Sequence, residues 1–396
     1  MDQLTLKQFP FEAGFAQAPD PALPERLDFT LETDPVSGVI VEKMNPEIQA
    51  ALKHYYEVGG YGSTPLGESE FATRQGQEIV DELAECLRAV GKRMEDSDFL
   101  EIGSSYGFLL HLLKGLGAKS VIGVEPGDEG NVGSKKYGIP LVQDFFPTDK
   151  LAGTFDVIFS HAVMEHIENP SVIVGAMAKR LNPGGVIFLA VPECEKKLRV
   201  GDVSILSHQH VNYFTGHTLG GVLEAAGLRD IVVRSSPLRS ILYAWGALRT
   251  EEQSVSGAPV SDAPLLQAFS QAYEKNLAAM QAIIDEAEGR NQRIGLYGAS
   301  IVLKGVLRFA HEPRLFDSDI GKHGKRMAGT GSPIESPQAL LANPVDLLLI
   351  CPIDYDREIR AALGAMGLPK ETRMVSLKEL FETNSGVRYD VGSRSV

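Results

Sequence analysis

Short apolar runs alternate with segments of helical periodicity through the middle of the chain. Residues 74–93 carry apolar side chains three or four positions apart, which predicts a helix. Five apolar runs of strand length follow, at 99–102, 121–125, 139–145, 155–160 and 186–191. Strands that alternate with helices predict a parallel sheet with helices on both faces, the α/β class.

The N-terminal part of the chain follows a different pattern. Prolines interrupt the first half of residues 1–60, and we expect this segment to be largely irregular. Within it, residues 38–42 could form a strand and residues 47–58 predict a helix. Glycines and a proline flank an aromatic side chain at 59–65, which predicts a loop or lid over a site.

Beyond the parallel strands, residues 217–234 predict a short helix and a strand that complete the sheet. Residues 238–249 predict a further helix. The segment 251–264 is rich in Ser, Gly, Ala and Pro and predicts a linker. Residues 265–289 have no internal helix breaker and predict one long helix.

A second α/β unit is predicted in the last hundred residues. Residues 293–300 have the pattern of a strand that leads into a glycine turn, Asp317 ends another predicted strand, and 345–350 is a third. Whether this second turn binds a ligand or only packs is left open. The chain is predicted to divide into an N-terminal segment, a first α/β domain, a helical connector and a second α/β domain, at 1–73, 74–236, 237–290 and 291–396.

Composition narrows the class of protein. A chain of 396 residues with 43% hydrophobic and 23% charged residues is typical of a protein with two or three globular domains. The net charge of −14 argues against a nucleic-acid or anionic-membrane surface. No apolar stretch is long enough for a membrane span, and no signal peptide is visible at the start. The three cysteines lie far apart, which predicts neither disulfides nor a zinc site, so we expect a cytoplasmic protein.

The segment 99–110 has the pattern of a buried strand, a tight turn and the start of a helix. Gly103 and Gly107 let the backbone approach a ligand closely, and the helix directs free N–H groups toward it. Glu101 adds an anion, which suits a positively charged ligand better than a pyrophosphate. Ser105 stands where a dinucleotide loop has its middle glycine. A turn without any ligand is the alternative interpretation.

Acidic residues also end the next two predicted strands. Glu125 can accept hydrogen bonds from both hydroxyls of a ribose. Asp144 and the neighbouring Phe145 suit the amine and the ring face of an adenine. Ligands of parallel sheets bind at the carboxyl ends of the strands, and all these acids are predicted to lie there.

His208 and His210 lie in a segment that leaves the sheet. Histidines separated by one residue could ligate a metal from a strand, lie in solvent, or act in a reaction. No carboxylate or cysteine cluster accompanies them in the sequence, so we predict no metal.

The ordered set of motifs resembles the class I S-adenosylmethionine (SAM) methyltransferases over residues 74–235. It comprises the glycine turn, the ribose acid, the segment after the fourth strand and the Asn-Pro-Gly-Gly turn at 182–185. This resemblance implies a Rossmann-like SAM domain followed by a second Rossmann-like domain, with SAM as cofactor. It implies a SAM pocket lined by Glu101, Gly103, Ser105, Gly107, Glu125, Asp144, Phe145 and His161.

The C-terminal half resembles the C-terminal domain of sugar C-methyltransferases, which methylate nucleotide-linked keto sugars, in antibiotic sugar pathways among others. The motifs are Tyr-Gly-Ala-Ser at 297–300 and Pro-Ile-Glu-Ser-Pro at 333–337, with Gln-His-Val-Asn-Tyr-Phe-Thr at 209–215 before them. The resemblance implies that Tyr61, His166 and His210 face the substrate. We expect His210 to act as the base that forms an enolate, with His166 and Tyr61 orienting or stabilising it. Gln209 and Tyr213 are the predicted substrate contacts.

Two departures from that family keep alternatives open. The family begins with a four-cysteine zinc domain, whereas this chain has no cysteine before Cys86. The family's glutamate before the base is Gln209, which cannot take up a proton. We expect methylation of a carbon next to a carbonyl in a small molecule, by a monomer or homodimer. Transfer to oxygen or nitrogen, a nicotinamide-dependent oxidoreductase and a non-catalytic SAM-binding protein are the alternatives.

Overall fold

The computed structural model describes residues 3–11, 15–16, 20–57, 66–67, 70–236, 240–248, 261–298, 300–327 and 331–390. Tyr61, the predicted lid at 59–65 and most of the predicted linker at 251–264 lie outside the described residues. In the part of the chain that is described, no helix is both long and apolar enough to cross a bilayer.

The N-terminal segment forms most of a four-stranded antiparallel sheet, so the expectation of a largely irregular segment was wrong. Its elements are β1 (Gln3–Pro10), β2 (Phe15–Ala16), β3 (Arg26–Thr33), β4 (Ile40–Glu42) and α1 (Pro46–Glu57). β1 pairs with β3 and β3 with β4, whereas β2 belongs to a separate two-stranded sheet. In β3, the alternate residues Leu27, Phe29 and Leu31 are buried, as expected for a strand with one face on a core. Pro10 only ends β1 and leaves the strand intact.

The central domain is a seven-stranded sheet with helices on both faces. Its elements are α2 (Glu70–Ala89), β5 (Asp98–Ile102), α3 (Phe108–Gly115), β6 (Ser120–Val124), α4 (Asp128–Tyr137), β7 (Leu141–Val142), β8 (Phe155–His161), α5 (Pro170–Ala178), β9 (Leu181–Pro192), α6 (Glu195–Arg199), β10 (Asn212–Tyr213), α7 (Gly216–Ala225), β11 (Leu228–Ser235) and β12 (Ile241–Leu248). The strand order is β11-β12-β9-β8-β5-β6-β7. β5 to β9 are parallel, and β11 and β12 run antiparallel to their neighbours. This confirms the predicted α/β sheet.

Residues 241–248 form a strand where we expected a helix at 238–249. β12 lies between β9 and β11, and its residues from Ile241 to Gly246 are all buried. A strand that is covered on both faces reads as a continuous apolar run, which periodicity cannot distinguish from a buried helix. β10 is not part of this sheet. It pairs with β4, so it joins the N-terminal sheet to the central domain.

The C-terminal unit is a five-stranded sheet whose strands are all parallel. Its elements are α8 (Ala263–Gly289), β13 (Ile294–Tyr297), α9 (Ile301–Val306), β14 (Arg314–Phe316), β15 (Arg326–Met327), β16 (Ile334–Glu335), α10 (Ala339–Ala342), β17 (Leu347–Ile350), α11 (Asp356–Ala365), β18 (Arg373–Ser376) and α12 (Leu377–Ser385). The order β16-β14-β13-β17-β18 is Rossmann-like, as predicted; β15 pairs with β2 instead. One hydrophobic core contains Phe29 of the N-terminal sheet, Phe269 of α8 and Leu349 of β17, so these parts share buried surface.

Candidate active site

The glycine turn after β5 has the backbone that its sequence predicts. Gly103 and Gly107 have φ angles of 71° and 73°, in the left-handed region that favours glycine. Ser105 adopts a φ of 45° between them. A Cβ on Gly103 would lie 2.4 Å from the Cγ2 atom of Val163, so the turn packs directly on the segment that follows β8. Gly107 then precedes the first residue of α3.

The carboxyl group of Glu101 is buried beneath this turn, at the carboxyl end of β5. Only 3% of the residue is exposed, and its Oε2 atom has no hydrogen-bond partner among the described residues. Burial, with a smaller contribution from the charge of Glu125, raises the pKa of Glu101 well above its usual range. A cation placed here would favour the ionised form, since it would supply the missing opposite charge.

Glu125 lies next to the turn, directly after β6. Its Oε2 atom accepts a hydrogen bond of 2.8 Å from the Ser105 N–H, and its Oε1 atom accepts one of 2.9 Å from the Gly127 N–H. Burial raises the pKa of this carboxyl group, while the two backbone hydrogen bonds oppose the shift. The side chain is therefore oriented by the same turn that holds Glu101.

Asp144 and Phe145 lie at the outer side of this strand edge. The carboxylate of Asp144 accepts a hydrogen bond of 2.7 Å from the Thr148 hydroxyl and forms an ion pair of 3.1 Å with Lys150. These contacts, with the hydroxyl bond the largest, lower the pKa of Asp144. The ring of Phe145 is 76% exposed, so its face is open to a planar ligand. His161, at the end of β8, is half-buried, and its Nε2 atom lies 3.4 Å from Nε2 of Gln75.

A second group of polar side chains begins four residues after His161. Residues 164–166 form a short 3-10 turn, and a loop at 207–213 packs against it. Nδ1 of His166 lies 2.6 Å from the carbonyl oxygen of Gln209, so this nitrogen carries the proton and donates it. The rings of His166 and His210 meet edge to face, with centroids 4.9 Å apart.

Both histidines are neutral at physiological pH. Burial lowers the pKa of His210 to about 3, with a smaller contribution from His166. Burial also lowers the pKa of His166, against the hydrogen bond to Gln209. The ring of His210 has no hydrogen-bond partner among the described residues, so a nitrogen lone pair is free to accept a proton.

Glu165 completes this group, although it was not among the predicted site residues. It is 2% exposed, its Oε1 atom lies 3.8 Å from Nε2 of His166, and its Oε2 atom has no partner within the described chain. Burial raises the pKa of Glu165 to about 8. One ligand atom from each of Glu165, His166 and His210 lies within 4.8 Å of the others, a set that could hold a metal ion. The expectation of no metal had assumed that no carboxylate accompanies His210.

Two families of known proteins match this chain in succession. Residues 71–233 match a methyltransferase domain, and residues 237–373 match a C-methyltransferase C-terminal domain. A ubiquinone biosynthesis O-methyltransferase of Rhizobium etli is 32% identical over 177 residues, which cover 43% of this chain and 67% of that protein. The chain belongs to the SAM-dependent methyltransferases. It is therefore an enzyme that uses SAM, and the oxidoreductase and non-catalytic alternatives lose their support.

Other known proteins are similar to this methyltransferase over a larger part of the chain. C-methyltransferase NovU of Streptomyces niveus is 23% identical over 301 residues, which cover 69% of this chain and 70% of that protein. Among solved structures, magnesium protoporphyrin IX methyltransferase from Synechocystis with bound S-adenosylhomocysteine covers 51% of this chain and all of that one. It has a TM-score of 0.38 and 15% identity.

The side chains at the glycine turn have the chemistry that SAM requires. The buried carboxyl oxygen of Glu101, which has no hydrogen-bond partner in the described part of the chain, suits a cationic ligand, and SAM carries a sulfonium. The missing side chains at Gly103 and Gly107 leave the backbone accessible. The carboxyl group of Glu125, oriented by two N–H groups, suits ribose hydroxyls.

Two predicted residues of the methyltransferase lie differently from expectation, and the position of a third is not described. Tyr213 is fully buried, and its hydroxyl group bonds to the backbone of Ser207, so it offers no surface to a substrate. The side chain of Gln209 bonds to Phe11 and Ser207 within the protein. Tyr61 lies outside the described residues.

Sequence reasoning also missed two neighbours of His166. Glu165 directly precedes His166 in the segment after the fourth predicted strand, so its position beside His166 was available as a signal. Tyr56 of α1 has its hydroxyl 3.3 Å from Nδ1 of His166, and no motif pointed to it.

Proposed function

We propose that this enzyme transfers the methyl group of SAM to a carbon atom next to a carbonyl group of a small molecule, with His210 as the base. The observation that carries this proposal is the imidazole of His210, which lies against His166 beside a buried carboxyl group and has no hydrogen-bond partner within the described ranges. Val163 packs on Gly103 of the glycine turn and is three residues from His166, so one short segment links both groups of side chains.

The proposed SAM pocket is lined by Glu101, Gly103, Ser105, Gly107, Glu125, Asp144, Phe145 and His161. When bound, SAM supplies an electrophilic methyl group. The carboxylate of Glu101 attracts the cationic ligand, and Glu125 orients its ribose. The exposed ring of Phe145 provides a stacking surface for the adenine, beside the carboxylate of Asp144.

His210 takes the proton from the carbon next to the carbonyl group. The electron pair of that C–H bond becomes the enolate, and a nitrogen of His210 forms the new N–H bond. The enolate carbon would then form the new C–C bond with the methyl group while the bond between that methyl group and the SAM sulfur breaks, its electron pair staying on the sulfur of the S-adenosylhomocysteine that leaves. His210 returns its proton to solvent. His210 is neutral at physiological pH, so its lone pair is available. The negative charge that develops on the enolate beside it would raise the pKa of His210 as the proton is transferred.

His166 and Glu165 together provide a hydrogen-bond donor for the enolate oxygen. Nδ1–H of His166 is already engaged with Gln209, so only a proton on Nε2 could be donated to a substrate. The raised pKa of Glu165, about 8, keeps one proton on this pair at neutral pH. A developing negative charge beside His166 favours the transfer of that proton from Glu165 to Nε2. Tyr61 is proposed as a second donor.

The proposed acceptor is a nucleotide-linked keto sugar or a related metabolite of natural-product or polysaccharide biosynthesis. The match of residues 237–373 to a C-methyltransferase C-terminal domain and the likeness to NovU support a carbon acceptor. The net charge of −14 supports a small-molecule substrate over a nucleic acid. We propose a cytoplasmic monomer or homodimer.

Transfer to oxygen or nitrogen is the second candidate function. Identity of 32% to a ubiquinone biosynthesis O-methyltransferase favours it for the methyltransferase part of the chain. His210 would then remove the proton of a hydroxyl group or an amine.

The test uses SAM with a ¹³C-labelled methyl group and a panel of keto sugars. Analysis of the product by NMR distinguishes a methyl group on carbon from one on oxygen or nitrogen. We expect a methyl group on the carbon next to the ketone. A labelled O-methyl or N-methyl product would instead support the second candidate.

A further inference from the structure

The loop 207–213, which carries His210, is held between two parts of the protein. Toward the turn after β8, the Val211 N–H donates to the Glu165 carbonyl oxygen at 2.7 Å. The Asn212 side-chain amide donates to the carbonyl oxygens of Met164 and Ile167, at 2.9 and 2.6 Å. These bonds fix the loop relative to His166 on one side only.

On its other side, the loop contacts the N-terminal sheet. The Glu42 N–H donates to the Val211 carbonyl oxygen at 2.8 Å, where β10 pairs with β4. The carboxyl group of Glu42 lies 2.5 Å from Nδ1 of His208, and both side chains are fully buried. The His208 ring also packs against Phe9, Phe11 and Phe29.

The Glu42–His208 contact is a hydrogen bond between neutral groups. Burial raises the pKa of Glu42 to about 9 and lowers that of His208 to about 4. At physiological pH a neutral carboxylic acid therefore meets a neutral imidazole, and either the acid O–H or the ring Nδ1–H can be the donor. Such a bond holds the loop without placing a charge next to the apolar core of the N-terminal sheet.

Gln209 forms the second tether to the N-terminal segment. Its Nε2 atom donates to the carbonyl oxygen of Phe11 at 3.2 Å, and its Oε1 atom accepts a hydrogen bond from the Ser207 hydroxyl. Its own carbonyl oxygen accepts the Nδ1–H of His166. An ionised glutamate has no donor, so it would place a carboxylate oxygen against the Phe11 carbonyl oxygen. The amide is therefore the side chain that this position requires.

We infer that the N-terminal sheet sets the position of His210, with Gln209 and the Glu42–His208 pair as positioning residues that carry no proton in the reaction. Gln209 links Phe11 to His166, and Glu42 holds the residue two places before His210. The inference rests on the proposed role of His210 as base. It also assigns a function to Gln209 that does not depend on acid–base chemistry.

The test compares Gln209→Glu, Glu42→Leu and Glu42→Gln with the wild-type enzyme, and uses Gln292→Glu as a control that adds one charge in the C-terminal unit. Each is assayed for SAM affinity by calorimetry and for solvent deuterium uptake by the keto substrate with S-adenosylhomocysteine in the pocket. We expect Gln209→Glu and Glu42→Leu to slow uptake roughly 10- to 100-fold, because small misplacement of a base is costly. SAM affinity should stay within a few-fold of wild type.

Glu42→Gln separates positioning from folding. Its amide can still donate to Nδ1 of His208, so we expect uptake close to the wild-type rate. Unchanged or faster uptake in Gln209→Glu would overturn the inference, as would equal rates in Glu42→Leu and Glu42→Gln. Full turnover by His210→Ala would instead contradict the proposed function itself, independently of these variants.

Discussion

The imidazole rings of His166 and His210 meet edge to face, with centroids 4.9 Å apart. They are 44 positions apart in the chain and come from different elements, the turn after β8 and the loop before β10. A carboxyl oxygen of Glu165 lies within 4.8 Å of a nitrogen of each ring, and neither ring carries a charge at neutral pH. A base and a hydrogen-bond donor at this separation can act on two neighbouring atoms of one substrate.

The protonation of this group predicts the pH dependence of the reaction. The pKa of His210, about 3, lies far below 6.5, so the base form is present throughout the neutral range. We expect kcat/KM to show no loss as the pH falls from 8 to 6. Above about 8 the Glu165–His166 pair loses its proton, and the rate should decline.

The variant Glu165→Gln tests the alkaline part of this profile. Its amide cannot transfer a proton to His166, so we expect a lower rate and no decline that begins near pH 8. A pH–rate profile of both enzymes provides the measurement. If the rate of the variant still declined above about pH 8, the decline would come from the titration of a group other than Glu165.

Gly103→Ala should lower both the stability of the protein and its affinity for SAM more than the same substitution at a matched glycine, Gly91. Gly91 has the same φ angle of 71°, and a Cβ there meets nothing within 4 Å. Gly91→Ala should therefore lose only about 1–2 kcal/mol of unfolding free energy. Gly103→Ala also forces a Cβ against Val163, and such overpacking lowers the free energy of unfolding by roughly 1–3 kcal/mol more. Chemical denaturation and SAM calorimetry of the two variants check this, and equal effects would contradict it.

The two buried acids of the pocket should affect SAM and S-adenosylhomocysteine differently. Glu125→Ala removes the proposed contact to the ribose, which both ligands share, so both affinities should fall by a similar factor. Glu101→Gln removes a negative charge, so SAM, which has the sulfonium charge, should lose more affinity than S-adenosylhomocysteine. Calorimetry with both ligands measures the difference, and Glu358→Ala, an exposed acid in α11, is the control. A larger loss for S-adenosylhomocysteine in Glu101→Gln would exclude the electrostatic role.

The proposed role of His210 also predicts the response to metals. His210 needs a free lone pair, so dialysis against a chelator should leave turnover unchanged. Added Zn²⁺ should inhibit by occupying Glu165, His166 and His210, and His210→Gln should bind it more weakly. If chelation abolished activity and added metal restored it, His210 would be a metal ligand and the proposal of a free base would be wrong.

The parts of the structure that sequence predicted are those with a local signal. The glycine turn, the parallel strands and the long helix α8 have such signals in their spacing and length. The sequence of β12 contains no local signal that distinguishes a buried strand from a buried helix. The strands β1 and β3 were not predicted, because Pro10 and the prolines that follow it indicated an irregular segment. The alternation of Leu27, Phe29 and Leu31 was the signal for β3.

The candidate site was predictable only in part, for a similar reason. His166 and His210 could be named from motifs, but their contact depends on how the loop 207–213 folds back onto the turn after β8. The contribution of Glu42 from the N-terminal sheet is a contact over 166 positions, which no local pattern encodes. The domain boundaries and the roles of the site residues stay predictions.

Solvent deuterium uptake at the carbon next to the substrate carbonyl tests the central claim most directly. The assay combines the wild-type enzyme or His210→Ala with a keto sugar and S-adenosylhomocysteine in deuterated buffer. We predict uptake with the wild-type enzyme and none above background with His210→Ala, while both bind SAM equally. Methylation on carbon that continues at full rate in His210→Ala, or in the absence of any uptake by the wild-type enzyme, would contradict the account.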